Sequence, residues 1–193
     1  MTNVYFVRHA EPDYNVRDDF ARPLTKKGKE DAKLVSSYLS DKDIHVVISS
    51  PYLRAIDTVK DFAGEVGLDI KIVDDFRERK VGNVWIEDFN SFAKKQWEDF
   101  DYKLSDGESL REVQNRNIKA LNEVLRMYEG KNIVIGTHGT ALSTIINYYD
   151  STYGYDDFER MKLIMPWIVK MQVKKDRCIN ITKIDILNGG RSL

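Results

Sequence analysis

The chain has 193 residues, 42% hydrophobic and 32% charged, the make-up of one globular domain with a substantial core. Its 30 basic and 31 acidic residues leave a net charge of -1, which gives no electrostatic reason to expect a nucleic acid or an anionic membrane as partner. No apolar run approaches the ~20 residues of a membrane span. The one cysteine, Cys178, excludes an internal disulfide and fits a reducing cytosol. A core strand begins almost at once, which leaves no room for a signal peptide. The expectation is a soluble, cytoplasmic protein of enzyme size.

Strand and helix signals alternate along the chain. Residues 4–7 are an apolar strand, and residues 13–23 a polar loop. Thr25 then caps a helix whose apolar positions are Ala32, Val35, Tyr38 and Leu39. Residues 45–49 read as a short strand, and Pro51 stands where a helix can begin. Ala55, Val59, Phe62 and Ala63 line one face of that helix, and residues 69–73 alternate in the manner of a strand. Between Gly82 and Gly107 the pattern changes. Trp85, Phe89, Phe92, Trp97, Phe100 and Tyr102 are interleaved with acids, which reads as a short helical insertion, either a lid or a surface hairpin packing its own aromatics. A helix follows over residues 109–128, a strand over 132–136 and a helix over 141–149. Late strands at 169–173 and 179–186 suit a hairpin. This order predicts an α/β fold, a three-layer sandwich with a mainly parallel central sheet and a small helical cap at about residues 82–106.

Two of these strands end on a histidine, Val4-Tyr-Phe-Val-Arg-His9 and Asn132-Ile-Val-Ile-Gly-Thr-His138. Ligands of open parallel sheets bind beyond the carboxyl ends of the strands, so both histidines and Arg8 are expected at one crevice. The chemistry suggested is a histidine nucleophile, His9, acting on an anion held by arginine. Arg8 and Arg54 offer planar forks that bind anion oxygens. His138 is a further donor to that anion, and the positive charge is expected from Arg8, Arg54 and a protonated His138. Gly139 permits close backbone approach, and the helix starting near Thr140 adds amides that favour an anion. No third histidine or carboxylate stands at metal-ligand spacing, so neither metal nor cofactor is expected.

The chain resembles the histidine phosphatase superfamily, the phosphoglycerate-mutase-like proteins. Arg8-His9-Ala10-Glu11 with Asn15, Leu24-Thr25-x-x-Gly28, and Ser49-Ser50-Pro51-x-x-Arg54-Ala55-x-x-Thr58 are similar to the family's opening motifs. Glu78-Arg79-Lys80-Val81-Gly82, Gly107-Glu108-Ser109 and Thr137-His138-Gly139 follow in the family's order. The resemblance implies that Glu78, otherwise one residue of a charge run, is the general acid that protonates the leaving oxygen. Asn15 could donate to a phosphoryl oxygen or cap its loop. Glu11 and Thr137 are at most supports. Two departures stand out: Ala10 replaces a glycine, and the run after Glu78 lacks its closing glycine.

The implied function is metal-independent hydrolysis of a small phosphorylated substrate through a phosphohistidine at His9, with His9, Glu78 and His138 catalytic and Arg8, Arg54, Asn15 and Gly139 binding phosphate. One alternative is a cofactor-dependent phosphoglycerate mutase, which needs a closed, strongly cationic site. The insertion sets Lys94, Lys95 and Lys103 among an excess of acids, which favours the phosphatase. The other alternative is a non-catalytic phospholigand-binding protein on the same fold. Retention of both a nucleophile and a proton donor speaks against it. Nothing in the sequence indicates an oligomer.

Overall fold

The computed structural model describes residues 1–193 except 84, 85, 176 and 193, and residues 191 and 192 by their backbone alone. Trp85 of the aromatic insertion thus lies outside the described residues. Strand β1 (Thr2–Arg8) sends alternate side chains to opposite faces. Val4 and Phe6 join one apolar cluster, Tyr5 and Val7 another. Burial on both faces is what a central strand of an α/β sheet requires, and it accounts for the unbroken apolar run.

Strand β2 (Val46–Ser49) and β3 (Ile70–Ile72) lie to one side of β1, and β4 (Asn132–Thr137) is inserted between β2 and β1. Beyond β1 come β5 (Trp167–Lys174), β6 (Arg177–Asp185) and β7 (Arg191–Ser192), giving the order β3-β2-β4-β1-β5-β6-β7. The first four strands are mutually parallel. β5 is antiparallel to β1, and β6, antiparallel to β5, returns to the common direction. The mainly parallel sheet and the late hairpin are therefore as the sequence reading expects.

Helices α1 (Lys26–Leu39) and α2 (Leu53–Glu65) bury Val35, Leu39, Val59 and Phe62 against one face. Helix α3 (Phe89–Glu98) belongs to the insertion. Helices α4 (Leu110–Met127) and α5 (Gly139–Tyr149) bury Ile118, Leu121, Leu142 and Ile145 against the other face. Thr25 caps α1 by accepting the Gly28 amide at 2.9 Å, and Ser109 opens α4 with a reciprocal capping box to Glu112. Helix α6 (Tyr155–Lys162) is absent from the sequence reading. It packs with α3: the Trp97 and Phe158 rings lie 5.7 Å apart, and Lys162 Nζ donates to Asn90 Oδ1 at 2.7 Å. Among the described residues, no helix is long and apolar enough to cross a membrane.

Neighbouring strands β1 and β4 feed helices on opposite faces, since α1 covers one side and α5 the other. The chain thus diverges above their carboxyl ends and opens a crevice at that switch point. Arg8 pairs in register with Thr137, so the residues that follow each strand face each other across it.

Candidate active site

His9 extends the ladder one residue past β1, its amide donating to Thr137 O at 3.1 Å. His138 follows β4 and is the N-cap of α5. Strand pairing therefore brings the two imidazoles together, with ring centroids 5.3 Å apart and planes inclined at 61°. Both are buried. His9 Nδ1 lies 2.8 Å from Ala10 O. A carbonyl only accepts, so Nδ1 carries the ring proton and the lone pair is on Nε2. Among the described residues nothing bonds that Nε2. His138 Nε2 lies 2.7 Å from Ser50 Oγ, and its Nδ1 is buried without a partner. Burial, and next the Arg54 cation, hold both imidazoles well below the usual histidine range. Both environments favour the neutral ring, which runs against the expected protonated His138 and leaves the arginines as the site's cations.

Arg8 is buried and donates through Nη1 to Met161 O at 2.6 Å and Ile164 O at 2.8 Å, at the end of α6. Its Nε is buried without a hydrogen-bond partner. Burial lowers its pKa to about 10, which leaves it charged at neutral pH. A Cβ at Gly139 would come within 3.3 Å of Arg8 Nε, so glycine there lets the guanidinium lie against the start of α5. Arg54, in the first turn of α2, donates through Nη1 to Asp19 O at 2.6 Å and meets Asp19 Oδ1 at 3.1 Å. Its guanidinium lies 4.9 Å from the centre of the Tyr52 ring. Thr58 Oγ1 accepts the Ala10 amide at 2.9 Å and donates to Arg54 O at 2.7 Å, tying α2 to the His9 segment.

Glu78 reaches the same crevice from the loop after β3. Its carboxylate accepts the amides of Thr140 at 3.0 Å, Ala141 at 3.1 Å and Arg79 at 2.8 Å. The amides at the start of α5 are thus taken by the protein's own Glu78 side chain. Asn15 stands apart. Its Nδ2 donates to Asp13 Oδ1 at 2.9 Å on an exposed turn, the loop-capping arrangement, and the structure does not bring it to the cavity wall.

Arg8, His9, Arg54, Glu78 and Gly139 line one cavity of about 900 Å³. His138 lies just behind, its ring edge-on to Tyr52 at 5.1 Å. The sequence reading missed several wall residues: Asp19, Tyr52, Arg79 and, from α6 and the turn after it, Met161 and Leu163. Arg79 is buried with its guanidinium over the Phe89 and Phe92 rings and its Nη1 on Gln96 Oε1. Ser50, Tyr52 and Arg79 lie inside the motif segments quoted above, so proximity to Arg54 and Glu78 was a usable signal. For Asp19 and Met161 no such signal exists. Among the described residues, no cluster of histidine, cysteine and acidic side chains could hold a metal ion.

Comparison with known proteins agrees with this fold. The family model for the histidine phosphatase superfamily (branch 1) matches residues 4–182. The chain is 27% identical to the uncharacterized phosphatase PhoE of Bacillus subtilis over 150 residues, 76% of each chain. It is 30% identical to the probable phosphoglycerate mutase GpmB of Serratia proteamaculans over 159 residues, 76% of this chain and 74% of that one. Its fold is similar to that of YhfR of Bacillus stearothermophilus, with a TM-score of 0.77 at 22% identity over 92% of this chain and 94% of the other. It is also similar to the phosphoserine phosphatase of Entamoeba histolytica in complex with 3-phosphoglyceric acid, with a TM-score of 0.75 at 21% identity over 94% and 96%.

Proposed function

The chain belongs to the histidine phosphatase superfamily, and from that premise we propose that it hydrolyses small phosphomonoesters without a metal, through a phosphohistidine at His9. One observation carries the reading. His9 has its Nδ1 fixed on Ala10 O and its Nε2 unbonded, and the buried Arg8 Nε and His138 Nδ1 also lack partners among the described residues. A tetrahedral dianion bonded to Nε2 would satisfy the donors that the fold leaves unpaired.

In the first step His9 Nε2 attacks phosphorus and the bond from phosphorus to the leaving oxygen breaks. Arg8 and Arg54 hold the equatorial oxygens, and His138 donates to one of them. Glu78 gives its proton to the leaving oxygen. In the second step water attacks the phosphohistidine and loses a proton to the Glu78 carboxylate, and inorganic phosphate leaves from a restored His9. The described part of residues 82–106 serves as a cap, with Ile86 and Phe89 lining the cavity. The lone cysteine, Cys178, is compatible with activity in a reducing cytoplasm.

A phosphoglycerate mutase is the second reading, favoured by the similarity to GpmB. The two separate on the fate of the phosphoryl group. The substrates to screen are phosphoserine, phosphoglycerates, glucosyl-3-phosphoglycerate, nucleotides and p-nitrophenyl phosphate, the first three being named with structurally similar proteins. Stoichiometric phosphate release without a bisphosphorylated primer is the expected result. Interconversion of 2- and 3-phosphoglycerate with little phosphate released would make the protein a mutase instead.

A further inference from the structure

Arg116, on the inner side of α4, makes contacts that the proposed chemistry does not call on. Its Nη1 donates to the carbonyl oxygens of Asp75 at 2.8 Å and Arg77 at 2.9 Å, and its Nη2 to that of Glu78 at 3.1 Å. Its Nε and Nη2 also fork onto the two Glu108 carboxylate oxygens at 2.8 and 3.0 Å. The pair is largely withdrawn from solvent, with side chains 10% and 18% exposed. Glu108 grips the same segment by two further bonds: Oε2 accepts the Lys80 amide at 2.9 Å, and its own amide donates to Lys80 O at 2.7 Å. A Cβ at Gly107 would stand 2.2 Å from Val81 O, so this turn presses directly on the loop it holds.

Residues 75–81 are therefore held through Arg116 and Glu108, which Arg77 Nη2 also meets at 3.3 Å, and Glu78 is secured from both ends. Its carboxylate rests on the amides of α5, and its backbone carbonyl rests on Arg116. Burial raises the Glu108 pKa, but the bonds from Arg116 and the Lys80 amide outweigh it and hold it below the ordinary value. Among the described residues, Arg116 makes no hydrogen bond to His9, Arg8 or Arg54.

We propose that the Arg116–Glu108 pair is a positioning device for Glu78, acting on proton transfer to the leaving group and not on capture of the phosphoryl group. This rests on Glu78 being the proton donor. An ordinary structural ion pair would act differently, since its loss would weaken the fold and slow every substrate alike.

The test compares kcat/KM for an alkyl phosphate and for p-nitrophenyl phosphate in the wild type, Glu78→Gln, Arg116→Ala and the double variant. Displacing a reacting group by an ångström can cost about 10²-fold. Arg116→Ala should lose roughly that much on the alkyl phosphate and only a few-fold on the nitrophenyl ester. The double variant should be no slower than Glu78→Gln on the alkyl phosphate, because the second change acts through a group already removed. Equal losses on the two substrates, or losses that multiply in the double variant, overturn the proposal. If Arg116→Ala does not fold, Arg116→Lys and Glu108→Gln keep part of the bonding and should show the same bias, smaller in size; equal losses there overturn it too. Glu78→Gln showing no leaving-group bias removes the donor itself, and the proposal falls with that reading rather than on its own.

Discussion

The Nδ1 of His9 lies 2.8 Å from the carbonyl oxygen of Ala10, and this single bond decides which ring nitrogen can react. An acceptor there fixes the proton on Nδ1 and leaves the nucleophilic lone pair on Nε2. The carbonyl belongs to the backbone, so Ala10 in place of glycine does not affect it.

The first prediction follows from that tautomer. Brief reaction with a labelled phosphomonoester, quenched in alkali, should trap phosphate that is stable to base and labile to acid. Phosphorus NMR of the denatured protein should place it on Nε2. His9→Ala should remove the label and turnover together while the circular dichroism spectrum is unchanged. Label persisting in His9→Ala, or phosphate found on Nδ1, contradicts the assignment.

A second prediction concerns stability and pH. Burial, helped by Arg54, depresses the pKa of both His9 and His138 in the folded protein. In the unfolded chain both titrate near the ordinary value of about 6.5. Below that pH the unfolded state binds more protons than the folded one, so stability falls as pH falls. The contribution is complete above about 6.5 and is lost as pH falls from there toward the folded pKa values. Melting temperature measured from pH 7.5 down to 5 should decline, and the double substitution His9→Gln with His138→Gln should flatten that decline. A slope unchanged by the substitutions would place the titrating groups elsewhere.

Much of this site is legible in the sequence because a strand ending on a charged or polar residue is a local signal. Arg8 with His9, and Thr137 with His138, each stand next to the apolar run that positions them. What Arg8 rests on is not legible: its Nη1 partners are the carbonyls of Met161 and Ile164, and any residue type supplies a carbonyl. Helix α6, which delivers Met161, escaped for a related reason. It is eight residues long, with only Phe158 and Met161 buried, too few to set a period. Asn15 had two readings, a phosphate donor or a cap of its own loop. Its place in a motif suggested phosphate, while the side chain serves its own turn through Asp13. Glu78 was placed by resemblance alone. The amides of α5 that hold it are also backbone groups, and only the folded chain brings them within reach.

Chelation supplies a third prediction. In the proposed mechanism the Arg8 and Arg54 guanidiniums supply the counter-charge to the phosphoryl group that a metal would otherwise provide. Activity on p-nitrophenyl phosphate should therefore survive prolonged dialysis against EDTA. Arg8→Lys, which replaces a planar fork by a point charge, should lose most of it. Activity lost to the chelator and restored by a divalent ion would show a metal-assisted mechanism.

The last prediction assigns the proton. A simple alkoxide leaves only if it is protonated as the bond breaks, whereas a nitrophenolate hardly needs the help. General acid catalysis contributes about 10²–10⁴-fold. Glu78→Gln should therefore lose roughly that much on an alkyl phosphate and far less on p-nitrophenyl phosphate. The amide keeps an oxygen that can accept from Thr140 or Ala141, so the loop should stay in place and the phosphoenzyme should still form from the activated ester. Arg54→Ala should behave differently. If its guanidinium holds the phosphoryl group as proposed, both substrates should slow together, by the order of 10²–10³-fold that removal of one such donor costs. If Glu78→Gln slows the two esters equally, the proton comes from another group. Asp18 and Asp19, on the same cavity wall, are then the carboxylates to substitute next.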